Sequence, residues 1–313
     1  MKLSQVRFLC AIVDRDLNIS AAAAALHTSQ PGVSRHMQSL EQEVGTKLFV
    51  RRNRRIVGLT KAGQALLVVA RRIVADIESA KKIANEFSSR DSGNLVIATT
   101  PTHARYALPR TILKFIKRYP KVRLSLRQGN PTEIAEWVEA GTVDLSIAAA
   151  PLIPAPDLVL LPCYDLQRIL LTRPEHPLQR LKKPLLSEIA QYPMITYDAL
   201  FTGRTKIAED FKRFGLNPHI VLSATDADVM KAYVKLGLGI AILGSIAFDP
   251  AQDKDLRSID VRYLFKPNPI YVGLRKDTYL RTYALDFIEM FAPKLTRAKI
   301  ERAMAASNPR RAV

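Results

Sequence analysis

The sequence predicts an α/β protein in two parts: a small tri-helical module at the N-terminus and, beyond a long helix, a larger unit of two α/β lobes around a cleft. Three observations predict it. Apolar residues keep helical spacing through the first 60 positions, a pattern without breakers repeats every seven residues after Thr60, and strand-like runs alternating with helices begin after Ser88-Ser89-Arg90-Asp91-Ser92-Gly93. At 313 residues the chain suits about two domains, each able to bury its own core.

In order, Leu3, Val6, Leu9, Ile12 and Val13 mark a first helix; Ser20 is placed to cap a run through five alanines to Leu26; Val33, Met37, Leu40 and Val44 mark a third helix ending at Gly45. After Thr60, Leu66, Ile73, Ala80 and Phe87 recur every seven residues, with Ala70, Ile77 and Ala84 four after the first three. Such a seam predicts a helix packed lengthwise on a partner, a second copy of the chain, or on its own domain. In the larger unit LVIATT, VRLSLRQG and VDLSIAAA read as strands around helical ARYALPRTILKFIKRYP and PTEIAEWVEAG, a βαβαβ parallel sheet. PMITY, HIVLSA and GIAIL form a second cycle around RTKIAEDFKRFG and DADVMKAYVKLG, and PIYVGLR with the helix Leu280 to Phe291 returns to the first lobe.

The formal net charge is +18, and the ends carry most of it: residues 1–90 hold 15 Lys/Arg against 7 Asp/Glu, and residues 294–313 hold 6 against 1. With 48% hydrophobic and 24% charged residues the chain is globular rather than a disordered basic tail, so the charge points to a polyanionic partner. Cys10 and Cys163 match neither a disulfide framework nor a zinc spacing; no metal and no cofactor are expected. The start MKLSQVRFLCAIVDRD is not a signal peptide, and Gly237 to Phe248, the longest apolar stretch, is too short to span a bilayer, so a cytoplasmic protein without membrane association is expected.

Ile19 to Met37 has the anatomy of a helix-turn-helix. His27-Thr28-Ser29 makes the turn and Pro31 falls in the first turn of the second helix, where a missing N–H is harmless. With Val33, Met37 and Leu40 inward, Ser29, Gln30, Ser34, Arg35 and Gln38 face outward, groups of the kind that read base edges and phosphates in double-stranded DNA. Arg51, Arg52 and Arg54, between Phe49 and Ile56, suit a hairpin wing on the phosphate backbone.

These residues, with AAAALHTSQPGVSRHMQSLEQEVGTKLFVR and the later LTKAGQALL, resemble the winged helix-turn-helix of LysR-type transcriptional regulators. TTPTHARYALP, QGNPTEIAEWVEAG, ITYDALFTGR and ATDADVMKAYVKLGLGI extend the resemblance to about residue 300 and to the CysB/Cbl branch. The resemblance implies α/β with an N-terminal winged helix-turn-helix and a two-lobed periplasmic-binding-protein-like (type 2) effector domain. It divides the chain into DNA-binding domain 1–60, linker and dimerisation helix 61–90, effector domain 91–300 (lobes about 91–162 with 267–300, and 163–266) and basic tail 301–313. It also implies a homodimer or homotetramer, contact with RNA polymerase, and control of sulfur-assimilation genes.

A small-anion site is argued from the residues. Thr99-Thr100-Pro101-Thr102-His103 and ITYDALFTGR, which holds Thr202, each lead from a strand into a helix, and Ser223-Ala224-Thr225 makes a third such junction. Hydroxyls and free N–H groups meet a positive helix end there, outside the carboxyl ends of parallel strands. Taken singly, each threonine reads first as a plain helix cap, and it is two or three facing one cleft that point to a site. By resemblance, Thr100, Thr102 and Thr202 hold a sulfate or an acetylserine-type ligand, with thiosulfate, a sulfonate or adenylyl sulfate in the same class. Where the branch has Gln and Thr this chain has His103 and Ala149. The alanine removes a hydroxyl donor worth about 1 kcal/mol or more, and His103 becomes cationic below about pH 6.5 if it behaves as a free imidazole. The alternatives are a surface role for His103 and a regulator of another regulon with a non-sulfur inducer.

An enzyme finds no support: there is no G-x-S-x-G, no P-loop, no G-x-G-x-x-G after a strand, and Asp226 and Asp228 sit where they serve a helix dipole, so no catalytic residue is expected. A solute-binding protein would explain the cleft but neither the N-terminal module nor the missing signal peptide.

Overall fold

The computed structural model describes residues 1–53, 55–88 and 91–306, and contacts within the chain divide it after Ser88. The first unit contains α1 (Leu3–Asp14), α2 (Ile19–Ala25), α3 (Gln30–Glu43), the antiparallel hairpin β1 (Phe49–Arg52) and β2 (Arg55–Leu59), and α4 (Lys61–Ser88). Leu9, Ile12, Val33, Met37, Leu40 and Leu48 form its core, which is the inward face that helical spacing predicts. The cap of α2 is Asn18, whose side chain accepts from the Ala21 N–H at 3.0 Å; Ser20, expected there, lies inside the helix.

Buried Glu41 fastens the hairpin to α3. Its carboxylate accepts the N–H groups of Leu48 (2.9 Å) and Phe49 (3.3 Å) and pairs with Lys47 at 3.3 Å. Glu41→Ala leaves two buried donors without acceptors and is expected to cost about 3 kcal/mol, with Glu41→Gln retaining part of that. Hydrogen exchange at the Leu48 and Phe49 amides checks it; unchanged protection in Glu41→Ala would contradict this role. Gly63 in the first turn of α4 is the matching device, since a Cβ there would lie 2.1 Å from the Leu48 carbonyl oxygen.

The N-terminal half of the heptad seam on α4 packs within its own unit. Leu66, Ala70 and Ile73 pack with Leu67 and Val74 on the module's core, and Arg71 donates to Asp14 of α1 at 2.7 Å. Ile77 is half-buried, Ala80 and Ala84 are exposed, and the Phe87 side chain lies outside the described residues. Among the described residues of α4, the exposed large apolar side chains are Val68, Val69 and Ile83.

The second unit contains two five-stranded sheets. The first lobe holds β3 (Ser92–Thr99), α5 (Pro101–Tyr106), α6 (Pro109–Arg118), β4 (Lys121–Gln128), α7 (Pro131–Glu139), β5 (Leu145–Ala149) and β6 (Leu158–Leu166). The chain crosses at Gln167 into β7 (Arg168–Thr172), α8 (Leu186–Ile189), β8 (Met194–Tyr197), α9 (Thr202–Arg213), β9 (Ile220–Ala224), α10 (Ala227–Lys235), β10 (Ile240–Gly244) and β11 (Arg257–Asp260). It returns through β12 (Asn268–Arg275), α11 (Thr282–Phe291) and α12 (Arg297–Ala306). The strand orders are β4-β3-β5-β12-β6 and β11-β7-β10-β8-β9, in which β3, β4, β5 and β8, β9, β10 run parallel and β12, β6, β7 and β11 pair antiparallel. The sheets are therefore mixed rather than the purely parallel ones the βαβ pattern predicts. The first crossing falls at Gln167 rather than near 162, because Tyr164 to Leu166 continue the pairing of β6 with β12 past a bulge at Cys163.

Strand alternation supplies both faces. In β3, Leu95 and Ile97 enter the core under α6 and α11 while Ala98 packs under α7; in β10, Ile240 and Ile242 face one way, Ala241 and Leu243 the other. The basic tail expected from residue 301 is helical to Ala306: Ile300 is fully buried and Arg297 pairs with Asp286, which also accepts from Tyr119 at 2.5 Å. Residues 307–313 lie outside the described residues.

Candidate nucleic-acid interface and inter-lobe cleft

The α3 surface follows from its caps. Ser29 caps the helix by accepting the Gly32 N–H at 3.3 Å, and His27 takes φ +50° where the chain turns from α2. Gln30, Pro31, Arg35 and Gln38 are exposed together with Ser29, and Ser34 is half-buried. Arg51 and Arg52 are exposed on β1, Arg55 joins them on β2, and Arg54 lies outside the described residues. The first unit thus presents a polar helix face and, across the Glu41 tether, a basic hairpin. No carboxylate lies within 4 Å of Arg35, Arg51 or Arg52 among the described residues, which leaves these cations for phosphate or base edges.

Between the lobes of the second unit lies a cleft with a cavity of about 50 Å³. Thr100, Thr102 and His103 enter from the end of β3 and from α5, Ala149 from β5, and Thr202 with Gly203 from the start of α9. The structure therefore brings five of the six expected effector residues to one wall-to-wall site. The sixth, Thr225, is exposed and does not line the cleft; it lies just before Asp226, whose side chain caps α10 by accepting the Asp228 N–H at 2.7 Å.

The hydroxyls are already engaged. Thr100 Oγ1 lies 2.7 Å from His103 Nδ1, Thr202 Oγ1 donates to the Ala150 carbonyl at 2.7 Å across the cleft, and Thr102 Oγ1 is 3.5 Å from Tyr197 Oη. Thr202 is thus a clasp between lobes as well as a lining group. His103 is buried, its Nε2 has no protein partner, and burial lowers its pKa to about 4. The expectation of an imidazolium below pH 6.5 is corrected: His103 lines the site as a neutral ring, and with Thr100 donating to Nδ1 its free nitrogen is an N–H donor.

Sequence reasoning missed Arg168, Tyr197, Phe201 and Asn268, which also line the cleft. Only Tyr197 and Phe201 had a usable signal, since they flank the strand-to-helix junction that holds Thr202. Arg168 and Asn268 sit at the two lobe crossings, which no local pattern marks.

Across the hinge side, Lys231 of α10 donates to Tyr106 Oη (2.9 Å), the Ala247 carbonyl (3.0 Å) and Asp253 (3.0 Å), and pairs with Asp228 at 3.2 Å. Tyr106 in turn donates to Asp228, and Arg105 pairs with it at 2.7 Å. The end of α5 is so fastened to the second lobe, while its start lines the cleft. No cluster of His, Cys, Asp and Glu able to hold a metal occurs among the described residues, and no helix there is long and apolar enough to cross a membrane.

A DNA-reading module joined to a two-lobed ligand-binding fold defines an effector-responsive transcriptional regulator. Residues 3–64 match the bacterial regulatory helix-turn-helix protein, lysR family, and residues 88–296 match the LysR substrate binding domain; the chain belongs to the LysR family of transcriptional regulators. It is similar to the HTH-type transcriptional regulator SsuR of Burkholderia cenocepacia, 44% identical over 96% of this chain and 97% of that one. It is equally similar to the regulator CysB of the same organism, 44% identical over 97% of each chain. Among solved structures, the cofactor-binding domain of the Cbl transcriptional regulator matches with a TM-score of 0.65 at 40% identity, over 68% of this chain and 93% of that one. The chain is a DNA-binding regulator of the CysB/Cbl branch and not an enzyme.

Proposed function

We propose that the chain regulates sulfur-assimilation genes by binding promoter DNA through α3 and the hairpin and a small sulfur-containing anion in the cleft. The observation that carries the effector half is the convergence of Thr100, Thr102, His103 and Thr202 on one cleft that also holds a buried ring nitrogen without a partner, His103 Nε2. Sulfate, thiosulfate, a sulfonate, adenylyl sulfate or an acetylserine fits that chemistry. The working form is a homodimer or homotetramer that contacts RNA polymerase, with Val68, Val69 and Ile83 of α4 offering the apolar face for a second copy. A thermal-shift screen of the full chain against those five compound classes and non-sulfur carboxylates tests the effector. Stabilisation by a sulfur compound is expected; a response confined to non-sulfur ligands would favour another regulon.

On the DNA side, Arg35 reads bases from α3 and Arg52 holds phosphate from the hairpin. Arg35→Ala is expected to cost about 1–3 kcal/mol and relax sequence preference, whereas Arg52→Ala weakens all duplexes alike and lowers the salt slope by about one. Equal losses on selected and random duplexes for Arg35→Ala would refute its base-reading role.

A further inference from the structure

The cleft holds more positive charge than its own side chains neutralise. Arg168 opens β7 directly after the lobe crossing and is only 4% exposed. Its hydrogen bond runs from Nη2 to the Gly203 carbonyl at 3.2 Å, and among the described residues no carboxylate lies within 4 Å of it. The acid that most nearly influences it, Asp210, is engaged by Arg213 at 3.2 Å. Gly203 admits the guanidinium to the first turn of α9, since a Cβ there would sit 3.0 Å from Nη2 and 3.2 Å from Nη1.

Three positive groups therefore meet. The leading N–H groups of the 12-residue α9 lack intrahelical acceptors and carry the positive end of its dipole. Arg168 lies against them. Lys206, one turn along, bonds to Asn268 Oδ1 at 3.0 Å, has no carboxylate within 4 Å among the described residues, and has its pKa lowered by burial and then by Arg168. Burying a guanidinium beside a positive helix end is unfavourable unless an anion completes the set. Of the other polar groups of the cleft, Thr100 and Thr202 turn their hydroxyl protons to His103 Nδ1 and the Ala150 carbonyl, and the neutral His103 adds an unpartnered ring nitrogen but no charge.

We propose that Arg168, supported by Lys206, is the charge-compensating group of the cleft and selects a doubly charged oxyanion over singly charged or neutral ligands of similar size. This rests on the reading of the cleft as an anion site and adds the residues and charge that set its selectivity.

The experiment compares thermal unfolding of the full chain, wild type against Arg168→Met, Arg168→Lys and Lys206→Gln, in rising sulfate or methanesulfonate with chloride holding ionic strength constant. Wild type is expected to respond to sulfate at lower concentration than to methanesulfonate. Arg168→Met should melt no lower than wild type in chloride, because an uncompensated buried charge is gone, yet lose the sulfate response. Arg168→Lys and Lys206→Gln should shift that response to roughly tenfold higher sulfate, about 1.4 kcal/mol, with methanesulfonate changed less. If Arg168→Met melts lower and keeps the sulfate response, Arg168 is structural and the inference is overturned. Should that variant fold poorly, unchanged sulfate affinity in both Arg168→Lys and Lys206→Gln overturns it equally. A wild type that responds to neither anion contradicts the anion reading of the cleft itself.

Discussion

Lys231→Met is expected to destabilise the second unit by about 3–5 kcal/mol, the range for removing one member of a buried ion pair. The Lys231 side chain is 9% exposed and that of its partner Asp253 6%, so the variant strands a buried carboxylate that keeps only the Asp249 N–H at 3.1 Å. Burial alone would lower the Lys231 pKa; its bonds to Tyr106, Asp253 and Asp228 outweigh that and raise it, so the ammonium stays charged. Denaturant unfolding measures the loss, and a cost below 1 kcal/mol would contradict the ion-pair account. Adding Asp253→Leu to Lys231→Met should recover much of the loss, since an apolar pair carries no stranded charge. Because Tyr106 belongs to the first lobe, the single variant should also loosen the fastening of α5 to α10 and weaken effector binding.

Acid should reveal His103 in a similarly large effect. The folded state holds the ring neutral down to about pH 4, while in the unfolded chain it takes a proton near 6.5. Between those values the unfolded state binds more protons, so stability rises with pH across the window and is lost as pH falls from 6.5 toward 4. The interval is worth about 3 kcal/mol at 1.36 kcal/mol per pH unit. His103→Gln should flatten the stability profile between pH 6.5 and 4 by about that amount while leaving it unchanged above pH 7. An identical slope in wild type and variant would mean that the ring is solvated in the folded protein. Anion affinity should accordingly be flat from pH 6 to 8 as far as His103 is concerned.

The elements that sequence made plain are those whose signal is local. Val33, Met37 and Leu40 recur on one helix face, Pro31 and Ser29 mark its start, and Leu95 to Ala98 alternate as a two-sided strand must. The α4 seam shows the limit of periodicity: a seven-residue recurrence says that a face is covered without saying by what, and Leu66, Ala70 and Ile73 pack on the core of their own unit. The antiparallel strands β6, β7 and β11 escaped notice because no helical crossover or turn pair separates them in the pattern. A hydroxyl before a helix looks the same at Thr202, which enters the cleft, and at Thr225, which faces solvent. Arg168 carries no local mark at all; its meaning comes from two crossings, some 100 residues apart in the chain, that place it against the start of α9.

The central claim is that an anion in the inter-lobe cleft controls how the N-terminal module reads DNA. Fluorescence anisotropy of a duplex selected from random DNA by the full chain tests it, titrated at fixed ionic strength with and without the sulfur anion that stabilises the protein. The account predicts a shift in the affinity or protein stoichiometry of the selected duplex that is absent on random DNA and absent in Arg168→Met. An anion that binds the protein yet leaves the selected-duplex isotherm unchanged would contradict it.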